Sequence, residues 1–327
     1  MTDANSKIPH LDQITAKFLH TLEEKGGKPL YELTPEDARQ FLAELQKEYH
    51  KQIEANVEDI DIPSEEFEKI HVRLVKPKEY SGQLSLVIYC HGGGWVMGDK
   101  YDFDMVIKTI ANCAQTAVAF VEYSRSPEAK YPAALNQIYE TIKYFTEKGS
   151  DFHIDTNRIA VAGDSAGGNM AAAAVIRAVK EGIKNICFQA LIYPVTDADM
   201  DSESYKQFKD GPWLSKKAME WFFDAYLPDK NYKNDIYVSP LKAEISDLQN
   251  LPPALVIVAE NDVLRDEGEA YARKLIEAGV NTACVRINNT CHDFILLNAL
   301  RESMASKAAY ILLCNFFVYI FNSMKHK

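Results

Sequence analysis

A serine hydroxyl does nucleophilic chemistry only with help. It needs an exposed position, a neighbouring base and donors for the oxyanion it creates. Gly163-Asp164-Ser165-Ala166-Gly167 offers the first of these. The apolar run Arg158-Ile-Ala-Val-Ala before it reads as a strand, and Gly168-Asn-Met-Ala-Ala-Ala-Ala-Val-Ile after it as a helix. A sharp strand-to-helix corner would expose Ser165 and aim the helix N-terminus at developing negative charge. The flanking glycines suit it, because bulky side chains would clash in so tight a turn. Serine at a helix start is also an ordinary cap. The strand and helix on either side favour the nucleophile.

The base and its orienting acid are sought where ligands gather in open parallel sheets, beyond the C-terminal ends of strands. Ala254-Leu-Val-Ile-Val-Ala-Glu260 is a strand pattern, and Asn261-Asp262 follows it. Thr282–Ile287 is the last strand pattern, and Asn288-Asn-Thr-Cys-His292-Asp293 follows. Asp266 is a rival to Asp262, but Asp266-Glu267 reads as the N-terminal cap of the next helix. His292 stands apart from His10, His20, His50, His71, His153 and His326, none of which follows a strand in this way. No pair of histidines has metal-binding spacing, so neither metal nor cofactor is expected. Leu86-Val-Ile-Tyr-Cys-His91-Gly-Gly-Gly-Trp95 is a strand running into a glycine turn. There the backbone can approach a substrate oxygen, so Gly93, Gly94 and Ala166 are the candidate oxyanion donors. His91 reads as support for that turn. Trp95, Asp164, Tyr193, Trp213 and Phe294 are read as lining a substrate pocket.

These residues need a scaffold. Strand patterns at His71–Val75, Leu86–Cys90, Ala117–Tyr123, Arg158–Ala162, Cys187–Tyr193, Ala254–Glu260 and Thr282–Ile287 alternate with helical patterns near 104–115, 133–148, 166–181, 267–278 and 299–320. That alternation predicts an α/β chain with a mostly parallel sheet covered by helices on both faces. Residues 11–55 read as helices, with Thr34-Pro35-Glu36-Asp37 as a helix start. The polar and aromatic stretch at about 198–240 interrupts the alternation. We read 1–55 as an N-terminal helical cap and 56–327 as the catalytic domain, with a second cap element inserted at about 198–240.

His91-Gly-Gly-Gly-Trp95, Gly163-Asp-Ser-Ala-Gly-Gly168 and Asp262-Val-Leu-Arg-Asp-Glu-Gly268 together resemble the hormone-sensitive-lipase-like family of carboxylesterases. Ser124-Arg-Ser-Pro-Glu-Ala-Lys-Tyr-Pro-Ala-Ala134 is similar to a further stretch of that family, with Arg125 where an apolar residue is usual. The resemblance spans about residues 70–300. It implies an α/β-hydrolase fold with a helical cap, in which Ser165, Asp262 and His292 match the triad and Gly93, Gly94 and Ala166 the oxyanion hole. It also implies metal-independent hydrolysis of small esters with short acyl groups, and it allows a homodimer through an exposed sheet edge. One departure is Asp293, where the residue after the histidine is usually Gly. The alternatives are another serine hydrolase activity on this scaffold (arylformamidase, lactonase or small peptidase) and a non-catalytic ligand receptor, a class that typically lacks the histidine.

Composition narrows the partners. Of 327 residues, 47% are apolar, enough for a sizeable core, and the formal charge is −11. Nucleic acid and anionic membranes call for clustered Lys and Arg, so neither is expected. Ala308–Phe321 is apolar but reads as too short to span a bilayer, so no stable membrane insertion is expected. Six scattered cysteines without a C-x-x-C pair read as free thiols, and Met1-Thr-Asp-Ala-Asn-Ser-Lys has no signal-peptide core. A cytoplasmic location is therefore expected. If a neutral His292 is the base, activity should fall below about pH 6–7.

Overall fold

The computed structural model describes residues 10–324. Residues 1–9 of the expected cap, and His326, lie outside the described residues. Eight strands form one sheet: β1 (Asn56–Ser64), β2 (Glu68–Lys76), β3 (Leu84–Cys90), β4 (Ala117–Glu122), β5 (Ile154–Asp164), β6 (Ile186–Ile192), β7 (Ala254–Asn261) and β8 (Thr282–Cys291). Their order is β1-β2-β4-β3-β5-β6-β7-β8. The β1–β2 and β2–β4 pairs are antiparallel and the rest are parallel.

The sequence pattern did not single out β1. Its side chains face mostly solvent, so it has little apolar alternation, and it is held through backbone pairing with β2 at the sheet edge. The central strands are apolar on both faces. Leu86 and Ile88 of β3 join one buried cluster while Val87 and Tyr89 join the other, and Val256 and Val258 of β7 are split in the same way from Leu255 and Ile257. This period of two buries both faces and so demands helices on both sides.

The helices are α1 (Gln13–Lys25), α2 (Pro35–Glu48), α3 (Asp104–Ala114), α4 (Ala133–Lys148), α5 (Ala166–Lys180), α6 (Glu203–Gln207), α7 (Lys216–Tyr226), α8 (Ile245–Leu248), α9 (Arg265–Glu277) and α10 (Met304–Ser323), of which α3, α4, α5, α9 and α10 pack on the sheet. Thr34 Oγ1 caps α2 by accepting from the Asp37 N–H, and Pro35 takes the first position. Asp12 caps α1 in the same manner.

α10 is longer than its apolar pattern indicated. It has 20 residues, enough by length and composition to cross a bilayer, but 44% of its most apolar window is buried inside the protein. Leu313, Phe317 and Phe321 pack on the sheet, while Met304, Ile311 and Tyr319 face outward. Cys113 of α3 and Cys314 of α10 are disulfide-bonded, with Cα atoms 5.9 Å apart. This corrects the reading of six free thiols, since α10 brings together two cysteines 201 residues apart. Cys90, Cys187, Cys284 and Cys291 are free.

The tightest approach in the fold is where α5 starts. A Cβ at Gly167 would collide with the carbonyl oxygens of Cys90 and His91, and one at Gly163 with the backbone of Gly167. Only glycine lets α5 enter against the end of β3. Gly167→Ala is expected to cost about 2 kcal/mol and lower Tm by roughly 3 °C in scanning calorimetry. A Tm unchanged to within about 1 °C would contradict this account of the corner.

Candidate active site

Strand register brings the chemistry to one edge. Cys90 of β3 pairs with Gly163 of β5, and Asn261 of β7 pairs with Cys291 of β8. The residues just beyond those pairs are the glycine turn, Ser165, Asp262 and His292, so all leave the sheet at its C-terminal edge. Asp262 and His292 become neighbours by register alone, and β6 lies between them and β5.

Ser165 sits at the corner with φ 54° and ψ −122°, a strained conformation for a residue with a side chain. It is held there from two sides. Its N–H donates to the Ile192 carbonyl at 2.8 Å, and its carbonyl accepts from the Val195 and Asn169 N–H groups at 3.1 and 3.0 Å. The consequence is an Oγ that lies 2.8 Å from His292 Nε2. His292 Nδ1 in turn lies 2.6 Å from Asp262 Oδ2. The other Asp262 oxygen accepts from the Leu264 N–H at 3.0 Å, which fixes the carboxylate. Rival Asp266 points elsewhere, accepting from the Ser204 N–H at 2.7 Å. Neither Asp266 nor Glu267 caps α9: they lie in its first turn and hold backbone of the 196–204 segment.

Gly93 and Gly94 have φ of 90° and 61°, in the left-handed region open to glycine. Gly94 also has no room for a side chain, because a Cβ would enter the Phe222 ring. Among the described residues, the N–H groups of Gly93, Gly94 and Ala166 have no backbone carbonyl as acceptor. The turn is braced from beneath. Asp164 Oδ1 accepts from the Gly92 N–H at 3.0 Å and from the Tyr89 hydroxyl at 2.9 Å. His91 stacks on Tyr123 at 4.0 Å and faces the Gly92 carbonyl through Nδ1. Burial pushes the His91 imidazole down to about 3, so it is neutral and plays the supporting part read for it.

A cavity of about 170 Å³ opens above Ser165, lined by Gly93, Gly94, Met97, His292, Asp293 and Leu296 from the sheet side. Leu30, Leu33, Phe41 and Leu42 close it from the N-terminal helices, and Trp213, Leu214 and Phe222 from the 198–240 insertion. Of the five expected pocket residues, Trp213 lines this cavity and four are buried outside it. Trp95 is buried against Tyr226 at 4.1 Å, Asp164 is under the glycine turn, and Tyr193 backs the His292 ring at 4.7 Å with Phe294 behind it. All four are fully buried, so their side chains pack around the site and do not face the cavity. Lining residues such as Phe222, Met97 and Leu33 carry no motif, and only tertiary folding reveals them.

Two polar side chains in α2 also escaped sequence reading. Arg39 donates to the Val96 and Ser126 carbonyls at 2.9 and 3.0 Å and pairs with Glu128. Gln46 donates to the Leu296 and Asp102 carbonyls at 3.0 and 2.7 Å. Together they pin α2 to the loops after β3 and β8.

The electrostatics of the site centre on His292. Burial pushes its imidazole down, but the Asp262 and Asp293 carboxylates together outweigh burial, and the net shift is upward to about 9. Asp293 Oδ1 lies 3.4 Å from His292 Nε2 and has no hydrogen-bond partner among the described residues, while Oδ2 accepts from Trp213 Nε1 at 2.8 Å. Burial pushes the Asp293 carboxyl up. Burial first, then Asp293, raises Asp164 to about 7.

The fold and site define a class. The sequence profile of the alpha/beta hydrolase fold family matches residues 87–296, and the chain belongs to that family. A hydrolase of the same fold from Acanthamoeba polyphaga mimivirus is 38% identical over 95% of this chain and 89% of that one. The carboxylesterase NlhH of Mycobacterium tuberculosis is 33% identical over 80% of this chain and 82% of its own length. Among solved structures, a thermostable esterase from Pseudomonas putida superposes with a TM-score of 0.94 at 41% identity, covering 96% of this chain and 98% of the other.

The charges around His292 have a consequence for pH dependence. A base with a raised pKa stays protonated further into the neutral range, so the acid limb of kcat/KM lies above the ordinary histidine value of about 6.5. Asp293→Asn removes one of the three raising charges, the others being Asp262 and Asp164, and should move that limb to lower pH. The pH–rate profiles of the two proteins on one ester substrate check this, and coincident acid limbs would contradict it.

Proposed function

We propose that this protein is a serine carboxylesterase acting on small esters with short acyl groups. The observation that carries the reading is the unbroken hydrogen-bond chain from Asp262 through His292 to Ser165, beside the amides of Gly93, Gly94 and Ala166. Carboxylic ester hydrolysis is also the activity named for relatives across bacteria and fungi.

The Ser165 hydroxyl attacks the ester carbonyl while His292 Nε2 takes its proton. The carbonyl oxygen gains negative charge and is met by the amides of Gly93, Gly94 and Ala166, which need no reorganisation to receive it. Asp262 holds Nδ1–H, which leaves Nε2 free to accept, and it stabilises the imidazolium that forms. The tetrahedral intermediate collapses, the alcohol leaves with the His292 proton, and an acyl group remains on Ser165 Oγ. Water, deprotonated by His292, repeats the attack and releases the acid.

In this reading residues 1–55 and about 198–240 act as a cap that confines the acyl group and excludes bulk water, supported by the lining that both segments contribute. The small, largely apolar cavity favours short acyl groups and offers no site for a long peptide. In a cytoplasmic enzyme, where thiols are kept reduced, Cys113 and Cys314 would stand as two thiols in contact in place of the disulfide. Then α10 stays on the sheet through Leu313, Phe317 and Phe321 rather than entering a membrane.

Ser165→Ala should lower p-nitrophenyl acetate turnover by a factor on the order of 10⁴ or more with an unchanged circular dichroism spectrum. It should also abolish covalent labelling by a fluorophosphonate. Asp262→Asn, which keeps shape but favours the wrong tautomer, should cost on the order of 10⁴ in kcat. Turnover retained in a folded Ser165→Ala protein would overturn the nucleophile assignment.

A further inference from the structure

The cavity over Ser165 has a larger neighbour. A groove of about 760 Å³ runs between α1, α2 and the turn at 210–213, and Leu19, Leu22 and Leu45 give it an apolar floor. The two spaces share three lining residues, Lys28, Phe41 and Trp213. Lys28 is exposed and follows Gly26-Gly27, where an added Cβ would meet nothing, so it is a loose rim. The solid part of the partition is therefore Trp213 and Phe41.

Trp213 is presented rather than packed away. Its backbone has φ 66°, the left-handed region costly for a bulky side chain, which turns the indole in between the two spaces. The ring is half-buried, touches Phe18 of α1 at 5.7 Å and Phe41 of α2 at 6.4 Å between centroids, and donates its N–H to Asp293. The hydrogen bond to Asp293 and packing against both buried clusters hold the wall. Behind it lies room several times that of the cavity where the chemistry would occur.

We propose that Trp213, backed by Phe41, determines substrate length: it seals the cavity over Ser165 from the α1–α2 groove, and removing its bulk admits long unbranched hydrocarbon chains into that groove. This rests on the serine esterase reading above. The groove's apolar floor suits an alkyl chain, and its rim (Glu23, Lys25, Glu44, Glu48, Asp210) suits the water at its open side. The Lys25–Glu48 pair, at 3.0 Å, holds the tops of α1 and α2 together across it.

The test compares kcat/KM of wild type, Trp213→Ala, Trp213→Phe and Phe41→Ala in two ester series. p-Nitrophenyl alkanoates from butyrate to decanoate lengthen the acyl side, and alkyl acetates from butyl to decyl lengthen the alcohol side. Each methylene that the groove takes from water should favour the longer ester by about fourfold. Trp213→Ala should therefore raise the ten-carbon to four-carbon ratio at least about tenfold in one series, which also reports the side that faces Trp213. Phe41→Ala should move the same ratio in the same direction. Trp213→Phe keeps a ring in place but loses the donor to Asp293, so its ratio should stay near wild type while its pH profile shifts. Adding Leu45→Trp to Trp213→Ala refills the groove and should bring the ratio back down.

Ratios unchanged in both series for Trp213→Ala and Phe41→Ala would overturn the proposal. So would a Leu45→Trp addition that leaves the raised ratio untouched, or a Trp213→Phe ratio as high as that of Trp213→Ala. If Trp213→Ala does not fold, the Phe41→Ala ratio decides alone. Failure of the esterase reading looks different: wild type would turn over no ester of either series and would not react with a fluorophosphonate, and the length proposal would fall with it.

Discussion

Everything in this site depends on one buried imidazole with a different partner on each nitrogen. His292 can pass a proton only if Nδ1 is committed to a carboxylate and Nε2 is left to a hydroxyl, and both must hold within hydrogen-bond reach. The three groups come from loops after three strands, so no local conformation could assemble them. The sheet does so by register. Asn261 opposite Cys291 sets Asp262 beside His292, and the hydrogen bond from Ser165 N–H to Ile192 aims the hydroxyl back across β6.

Holding the serine there costs conformational strain, and the surroundings offset it. Ser165 occupies a left-handed corner, and Gly92, Gly94 and Gly167 leave no space for a Cβ. Such geometry persists only when neighbours over-determine it. Here they include Asp164 under the glycine turn, His91 between Tyr123 and Phe103, and α5 pressed against the end of β3. Three of the residues read from sequence as pocket lining, Asp164, Tyr193 and Phe294, belong to this supporting layer. They are close to the chemistry in the chain but carry it from below.

The site also has a side the motifs do not describe. Asp293, where a glycine is usual in the resembling family, sets a second carboxylate against His292 and ties it to Trp213 from the inserted segment. The charge that tunes the base and the ring that bounds the cavity are thus joined by one hydrogen bond. Arg39 and Gln46 extend the same logic to the N-terminal helices, whose position over the site rests on side chains bonded to backbone carbonyls of the loops beneath.

Much of this was legible in the chain itself, for physical reasons. The parallel sheet showed because its strands are buried on both faces and so are apolar throughout. Ser165, Asp262 and the glycine turn showed because each follows such a strand, and His292 because it follows β8, an edge strand that still alternates apolar and polar residues over Thr282–Ile287. β1 stayed hidden because an edge strand is held by backbone pairing and leaves its side chains to water. The Cys113–Cys314 pair, the cavity lining and the neighbouring groove were hidden for another reason. They are contacts between residues tens to hundreds of positions apart, and nothing local records which helix faces meet. The amino-acid order determined which groups stand at strand ends and what chemistry those groups could do. Only the tertiary structure decided how far apart they lie, what encloses them and how much room is left above, because distance, burial and volume arise from packing and have no signature along a chain.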